Sequence, residues 1–318
     1  MKKTLITLMM AACMLLSACG TGAVADPTPE SDAAITFTDD LGRTVTVERP
    51  ERVAALLGSF AQVWMLADGE ICAAPDDVWN DLALLTEESD AVNLGSIHSL
   101  SLELLLSAQP DFILASTNTR QNVEWRDTLE AIGVPVAYFD INNFDDYLQL
   151  LEVCTDITGQ KEQYETYGTA VRQEIDDAIA LSQQRLETED APTVLCMVAS
   201  ASGIWAKNSD GSVLGTILRD LGCTNIADSD AMLLETISME QILQADPEYI
   251  FFIQRGDNVE GMHEHVRSVL TDDPAWAALT AAKENRVYFM EKALFNLKPN
   301  HRWGEAYAIA EEILANGR

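Results

Sequence analysis

Two stretches of this chain repeat one another. Ser101-Leu-Glu-Leu-Leu-Leu-Ser-Ala-Gln-Pro-Asp-Phe-Ile-Leu114 aligns without a gap on Ser238-Met-Glu-Gln-Ile-Leu-Gln-Ala-Asp-Pro-Glu-Tyr-Ile-Phe251, 137 positions later (238 minus 101). Ser, Glu, Leu, Ala, Pro and Ile coincide. Each copy reads as a serine N-cap, a short helix, a proline break and a buried strand. A chain that holds this unit twice is constrained to two lobes of similar build.

The surrounding pattern agrees. Alternating runs on either side of Asp40-Leu41-Gly42, within Ile35–Val47, read as a hairpin. Apolar strand candidates follow at Val53–Gly58, Phe112–Ser116 and Val136–Asp140. They alternate with helical patterns at 61–68, 102–108, 124–132 and 144–158. The same alternation restarts with strands at Thr193–Ala199, Tyr249–Ile253 and Arg286–Met290. Helices are expected at 213–221, 239–245, 266–270 and 305–314. Strands alternating with helices predict an α/β fold with parallel-type sheets. Between the two series lies one long helical pattern, with Tyr164, Tyr167, Val171, Ile175, Ile179 and Leu186 at 3.6-residue spacing. Gly159 precedes it and Ala191-Pro192 ends it. Roughly 25 residues at 1.5 Å each give a rod of about 37 Å. The expected organisation is an N-terminal lobe over 35–158, a linker helix over 159–189 and a C-terminal lobe over 190–318.

The first 18 residues read as a signal peptide: Lys2 and Lys3, then an apolar run from Thr4 to Leu16. That run is too short for a stable bilayer span. Leu16-Ser17-Ala18-Cys19 resembles a bacterial lipoprotein processing box, which implies a diacylated Cys19 and an anchor in the lipid membrane. Residues 19–34, rich in Gly, Ala, Pro, Thr and Asp, read as a flexible tether. Cleavage leaves 300 residues (318 minus 18), with 18 basic against 51 acidic side chains. So acidic a chain excludes nucleic acid as a partner. Cys72, Cys154, Cys196 and Cys223 show no metal or redox spacing. Export permits a disulfide among them without assigning one.

Taken in order, these segments resemble the cobalamin and iron-chelate periplasmic-binding family of ABC importers. The resemblance runs from Asp39-Asp-Leu-Gly-Arg-Thr-Val-Thr-Val47 through Glu51-Arg-Val-Ala-Ala-Leu56 and Gly95 to both Ser-x-Glu helices. It takes in Gln109-Pro-Asp-Phe-Ile113 and Gly133-Val-Pro-Val136, and it closes with Lys298-Pro-Asn-His-Arg-Trp-Gly-Glu-Ala306. It implies two Rossmann-like lobes joined by a single long α-helix, with the ligand in the cleft between them. It implies a monomeric, non-enzymatic protein that delivers an iron chelate (siderophore or haem), or alternatively a corrinoid, to an ABC permease dimer and its ATPase. It also implies that Glu103 and Glu240, one per lobe, dock on permease arginines. Taken alone, each glutamate equally suits the dipole of its helix.

Ligand groups in open α/β sheets sit on the loops after strand C-termini. Those loops offer Ser59, Phe60 and Trp64, then Asn118, Arg120 and Trp125, and Tyr138. In the second half they offer Trp205 followed by Lys207, then Gln254 and Arg255, then Phe295, Lys298, Arg302 and Trp303. Of these, Phe60, Trp64, Arg120, Tyr138, Trp205, Arg255, Phe295, Arg302 and Trp303 are the candidate ligand contacts. Aromatic walls and guanidinium forks suit a bulky anionic chelate. Phe60 and Trp64 at helical spacing equally suit a core, and Trp303 equally suits packing of the last helix. No cofactor and no directly bound metal are expected, because His263 and His265 do not share a helix face and no acidic His-rich loop is present. A haem axial ligand would fall to Tyr138 or His98. Enzyme signatures are missing: Gly58-Ser-Phe-Ala61 lacks the second glycine of a nucleophile elbow, and there is no P-loop or H-E-x-x-H.

Overall fold

The computed structural model describes residues 34–317. The signal segment, Cys19 and the tether as far as Ala33 lie outside the described residues. The chain opens with the expected hairpin, β1 (Ile35–Thr38) and β2 (Thr44–Val47), paired antiparallel. Gly42 takes φ 74° in its turn. Asp39, buried, accepts from Arg43 at 2.6 Å and from the Tyr138 main-chain N–H at 3.2 Å, which fastens the hairpin to the first lobe.

The N-terminal sheet contains β3 (Val53–Ala55), β4 (Ile71–Ala74), β5 (Val92–Asn93), β6 (Phe112–Ser116) and β7 (Val136–Phe139). All are parallel, in the order β5-β4-β3-β6-β7. The C-terminal sheet contains β8 (Thr193–Ser200), β9 (Gly203–Lys207), β10 (Thr224–Asn225), β11 (Tyr249–Gln254) and β12 (Val287–Met290). Four of these run parallel as β10-β8-β11-β12, and β9 folds back antiparallel on β8. The sequence pattern did not reveal β4, β5, β9 or β10.

Both sheets are covered on both faces, as parallel sheets require. Side chains alternate between faces along each strand. On one face, Val53, Phe112, Leu114 and Phe139 of the first sheet join Val194, Cys196, Phe251 and Ile253 of the second in one continuous core. The linker contributes Val171, Ile175 and Ala178, and the last helix, Trp303–Asn316, contributes Trp303, Ala306 and Ala310. The opposite faces have separate cores: Ala54, Ile113 and Tyr138 in the first lobe, and Leu195, Ile250 and Phe252 in the second. The lobes are therefore welded along one shared layer.

The linker runs without a break through Lys161–Tyr164, Glu165–Thr169 and Ala170–Leu186. It is not a uniform α-helix. Glu165–Thr169 forms a π turn, although Glu165 (φ −62°, ψ −41°) and Ala170 (φ −64°, ψ −40°) on either side keep helical angles. A π turn displaces the i→i−4 ladder. Here the Tyr147 hydroxyl, on the preceding helix Phe144–Thr158, donates to the Tyr167 carbonyl at 3.0 Å.

The repeat is structural as well as sequential. The Ser101 and Ser238 hydroxyls accept from Leu104 N at 3.3 Å and Gln241 N at 3.5 Å. Each serine caps a short helix, Leu102–Ser107 or Met239–Ala245, and each helix leads through a buried proline into a central strand, β6 or β11. Cys72, Cys154 and Cys196 are free thiols. No helix among the described residues is long and apolar enough to cross a membrane.

Candidate ligand cleft

Strand order fixes where each lobe can hold a ligand. The N-terminal sheet reverses its winding between β3 and β6, and the C-terminal sheet between β8 and β11. A crevice opens outside the carboxyl ends of the strands at such a point. A cavity of about 240 Å³ lies there between the lobes. Asn142, just beyond β7, lines it from the N-terminal side, and Lys207, Ser212, Arg255, Asn296 and Lys298 line it from the C-terminal side. Larger hollows of about 400 to 740 Å³ are each lined within one lobe or along the linker.

Three cations from three separate elements meet at this cavity. Lys207 ends β9, on the same strand face as Trp205 two residues earlier. The Arg255 guanidinium, directly after β11, lies 5.5 Å from the centre of the Trp205 ring. Lys298 reaches across the lobe boundary and donates to the Ile141 carbonyl. Burial holds its pKa below the ordinary lysine value, while Asp140 and Asp146 act in the other direction. Among the described residues none of the three forms an ion pair. Asp210 also lines the cavity, but it is paired with Arg219.

Two further contacts bridge the lobes. Lys292 pairs with Asp257 at 2.6 Å in its own lobe and with Asp81 at 3.6 Å in the other. Asn300, buried and held at φ 52°, donates to the Ser59 carbonyl at 3.0 Å and to Gln62 at 2.7 Å. In the N-terminal lobe, burial pushes Asp77 up to about 6, and the charges of Asp76 and Asp81 add to the effect. Its carboxylate fills the space a Cβ on Gly58 would need.

The candidate contacts divide sharply. Arg255 and Phe295 line the cavity, and Trp205, 41% exposed, stands beside Arg255. Phe295 is itself only 2% exposed, so it backs the cavity rather than presenting a wall. Phe60, Trp64, Tyr138 and Trp303 are corrections: all four are core residues, at most 2% exposed. Phe60 and Trp64 lie on the buried face of the helix Gly58–Leu66. Phe60 packs edge-on to Phe139, and Trp64 Nε1 donates to the Glu70 carbonyl at 2.9 Å. Tyr138 points into a covered sheet face, beneath Arg43 and Arg126. Trp303 packs between Phe144 and Tyr307. Arg120 and Arg302 are corrections of another kind. Each spends its charge on a neighbour one helical turn away, Arg120 on Glu124 at 2.8 Å and Arg302 on Glu305 at 2.7 Å. Neither lines the cavity.

Lys207, Lys298 and Asn142 were not among the candidates. Lys207 and Lys298 were visible as cations on loops after strands, but nothing in the sequence showed that they converge. Glu103 and Glu240 are exposed in the first turns of their helices, at matched places in the two lobes.

Residues 53–294 match the family described as periplasmic binding protein. The chain belongs to the periplasmic binding protein family. It is 23% identical over 316 residues to the putative ABC transporter substrate-binding lipoprotein YhfQ of Bacillus subtilis, covering 94% of this chain and 93% of that one. It is 24% identical over 293 residues to the Fe(3+)-citrate-binding protein YfmC of the same organism, covering 89% and 87%. The catecholate-siderophore binding protein VctP of Vibrio cholerae superposes with a TM-score of 0.69 at 16% identity, covering 88% of this chain and 99% of that one. The two-lobed α/β fold with its connecting helix is therefore that of a periplasmic binding protein.

Proposed function

We propose that this protein captures an iron chelate in the cleft between its lobes and delivers it to an ABC permease dimer driven by its ATPase. One observation carries the reading: three unpaired cations converge on an interlobe cavity in a protein where acidic side chains outnumber basic ones, 51 to 20. Fixed positive charge in a partly dry cleft favours an anionic guest. The family membership supplies the transport context, and the relative named for ferric citrate fits the charge. No reaction and no cofactor belong to this reading; the metal enters as cargo. A signal peptide and a lipid on Cys19 would hold a monomer at the outer face of the cell membrane. Glu103 and Glu240 would each meet an arginine of the permease. A corrinoid fits the cleft less well, because the cavity offers little apolar wall and, of the candidate aromatic residues, Phe60, Trp64, Tyr138, Phe295 and Trp303 are buried while Trp205 alone is exposed.

Tryptophan fluorescence tests the reading, since Trp205 stands beside the cleft cations. Ferric citrate, a ferric trihydroxamate, a ferric catecholate, haemin and cobinamide are titrated in parallel. Saturable quenching by at least one iron chelate supports iron capture. Saturation by cobinamide alone overturns it.

A further inference from the structure

The way Lys298 is held identifies the chemistry of the guest. Its ammonium group is partly withdrawn from bulk water, yet its bond partner is only the carbonyl dipole of Ile141. A part-buried ammonium is stabilised most by a full counter-charge with hydrogen-bonding oxygens. Asp140 and Asp146 act on it electrostatically, but neither bonds to it. Arg255 rests on the Trp205 ring, and Lys207 forms no ion pair. Each cation thus has hydrogen-bonding capacity that the protein does not use.

The cavity, at about 240 Å³, lies below the roughly 300–1,000 Å³ usual for small-molecule sites. Its polar groups are asparagine, serine, lysine and arginine, with one carboxylate, Asp210, already paired with Arg219, and no Tyr, His, Met or Cys lines it. An axial ligand for haem iron is therefore absent from the lining, and a flat apolar macrocycle would find no matching wall.

Building on the reading above, we infer that the guest is a compact ferric chelate with carboxylates left free of the metal, and that Lys298 moves from the Ile141 carbonyl onto one of them. Arg255 and Lys207 take the remaining carboxylate oxygens, the guanidinium as a two-pronged donor. Lys298 then serves as a specificity residue and as the link between guest and lobe contact. The interlobe bond it makes in the empty protein is exchanged for a bond to the ligand.

The probes are ferric citrate, which keeps free carboxylates, ferrioxamine, a trihydroxamate with none, and haemin. Each is titrated by fluorescence against wild type, Lys298→Ala and a remote control, Lys283→Ala. Ferric citrate is expected to bind wild type and the control alike, with ferrioxamine and haemin much weaker. Lys298→Ala is expected to weaken ferric citrate roughly 10- to 100-fold, the scale of one charge-assisted hydrogen bond. If Lys298→Ala unfolds, Lys207→Ala carries the same test without touching the interlobe bond, and its ferric citrate affinity should also fall. Equal affinity for ferrioxamine or haemin, or ferric citrate binding unchanged in the folded variants, overturns this inference and leaves iron capture standing. Failure of wild type to bind any iron chelate overturns both.

Discussion

The Tyr147 hydroxyl donates to the Tyr167 carbonyl across 3.0 Å, joining the last helix of the N-terminal lobe to the π turn of the linker. Burial, and after it the neighbouring Cys154 and Tyr167, push the Tyr147 hydroxyl pKa far up, so it stays protonated and a donor at any physiological pH. Tyr147→Phe keeps the ring and removes the donor. A loss of about 1 kcal/mol is expected. The urea midpoint of wild type and variant measures it, with an unchanged slope showing that the unfolded state is unaffected.

Asp77 should make the protein less stable above pH 6 than below it. Its folded pKa, about 6, lies above the ordinary 3.8, so the native state binds more protons than the unfolded chain between those values. Stability is then highest below the unfolded value, falls as pH rises through the folded one, and stays lower beyond it. The penalty at neutral pH is at most about 3 kcal/mol, reduced by solvent on its exposed side. Asp77→Asn removes the charge and is expected to raise the Tm at pH 7 by roughly 2–4 °C. At pH 4 the two proteins should melt together in a thermal scan.

Anion binding beside Lys298 should draw in protons at alkaline pH. Burial lowers the lysine pKa in the empty protein, and the facing carboxylates Asp140 and Asp146 only partly offset this. A bound carboxylate raises it again, so affinity falls as pH climbs through the lower value. Calorimetric titration of ferric citrate in two buffers of different ionisation heat reads the proton count. Net uptake is expected in wild type and should vanish in Lys298→Gln.

Glu103→Ala and Glu240→Ala should separate binding from delivery. Both side chains are exposed and neither lines the cavity. Chelate affinity should stay within twofold of wild type, since surface changes remote from a site have small effects. Stimulation of the reconstituted transporter's ATPase should fall in each single variant and further in the double one.

The repeat, the strand–helix alternation and the central rod were readable because each is a local pattern. Phe112–Ser116 and Tyr249–Ile253 are continuous apolar runs, as doubly covered strands must be. The four strands that escaped notice are short, or belong to the sheet margin like β9, whose Gly-Ser setting reads as a loop. The π turn at Glu165–Thr169 was hidden because a one-residue insertion barely disturbs a 3.6-residue spacing over one helix. The site was harder to read. Phe60, Trp64, Tyr138 and Trp303 sit next to strand ends in sequence, yet their side chains turn into the core. Sequence proximity to a cleft does not fix direction. Arg120 and Arg302 lost their role to Glu124 and Glu305, partners one helical turn away that local helix geometry supplies. Lys207, Arg255 and Lys298 come from segments 48 and 43 residues apart (255 minus 207, 298 minus 255), and only the fold brings them to one cavity.

Equilibrium dialysis of the mature protein against radiolabelled ferric citrate decides whether this cleft is where cargo is held. Wild type is expected to retain about one iron per chain, and a Lys207→Glu/Arg255→Glu double variant that melts like wild type should retain none. Equal retention by the double variant would contradict capture by the cleft cations, and none by the wild type would contradict a carboxylate-bearing ferric guest.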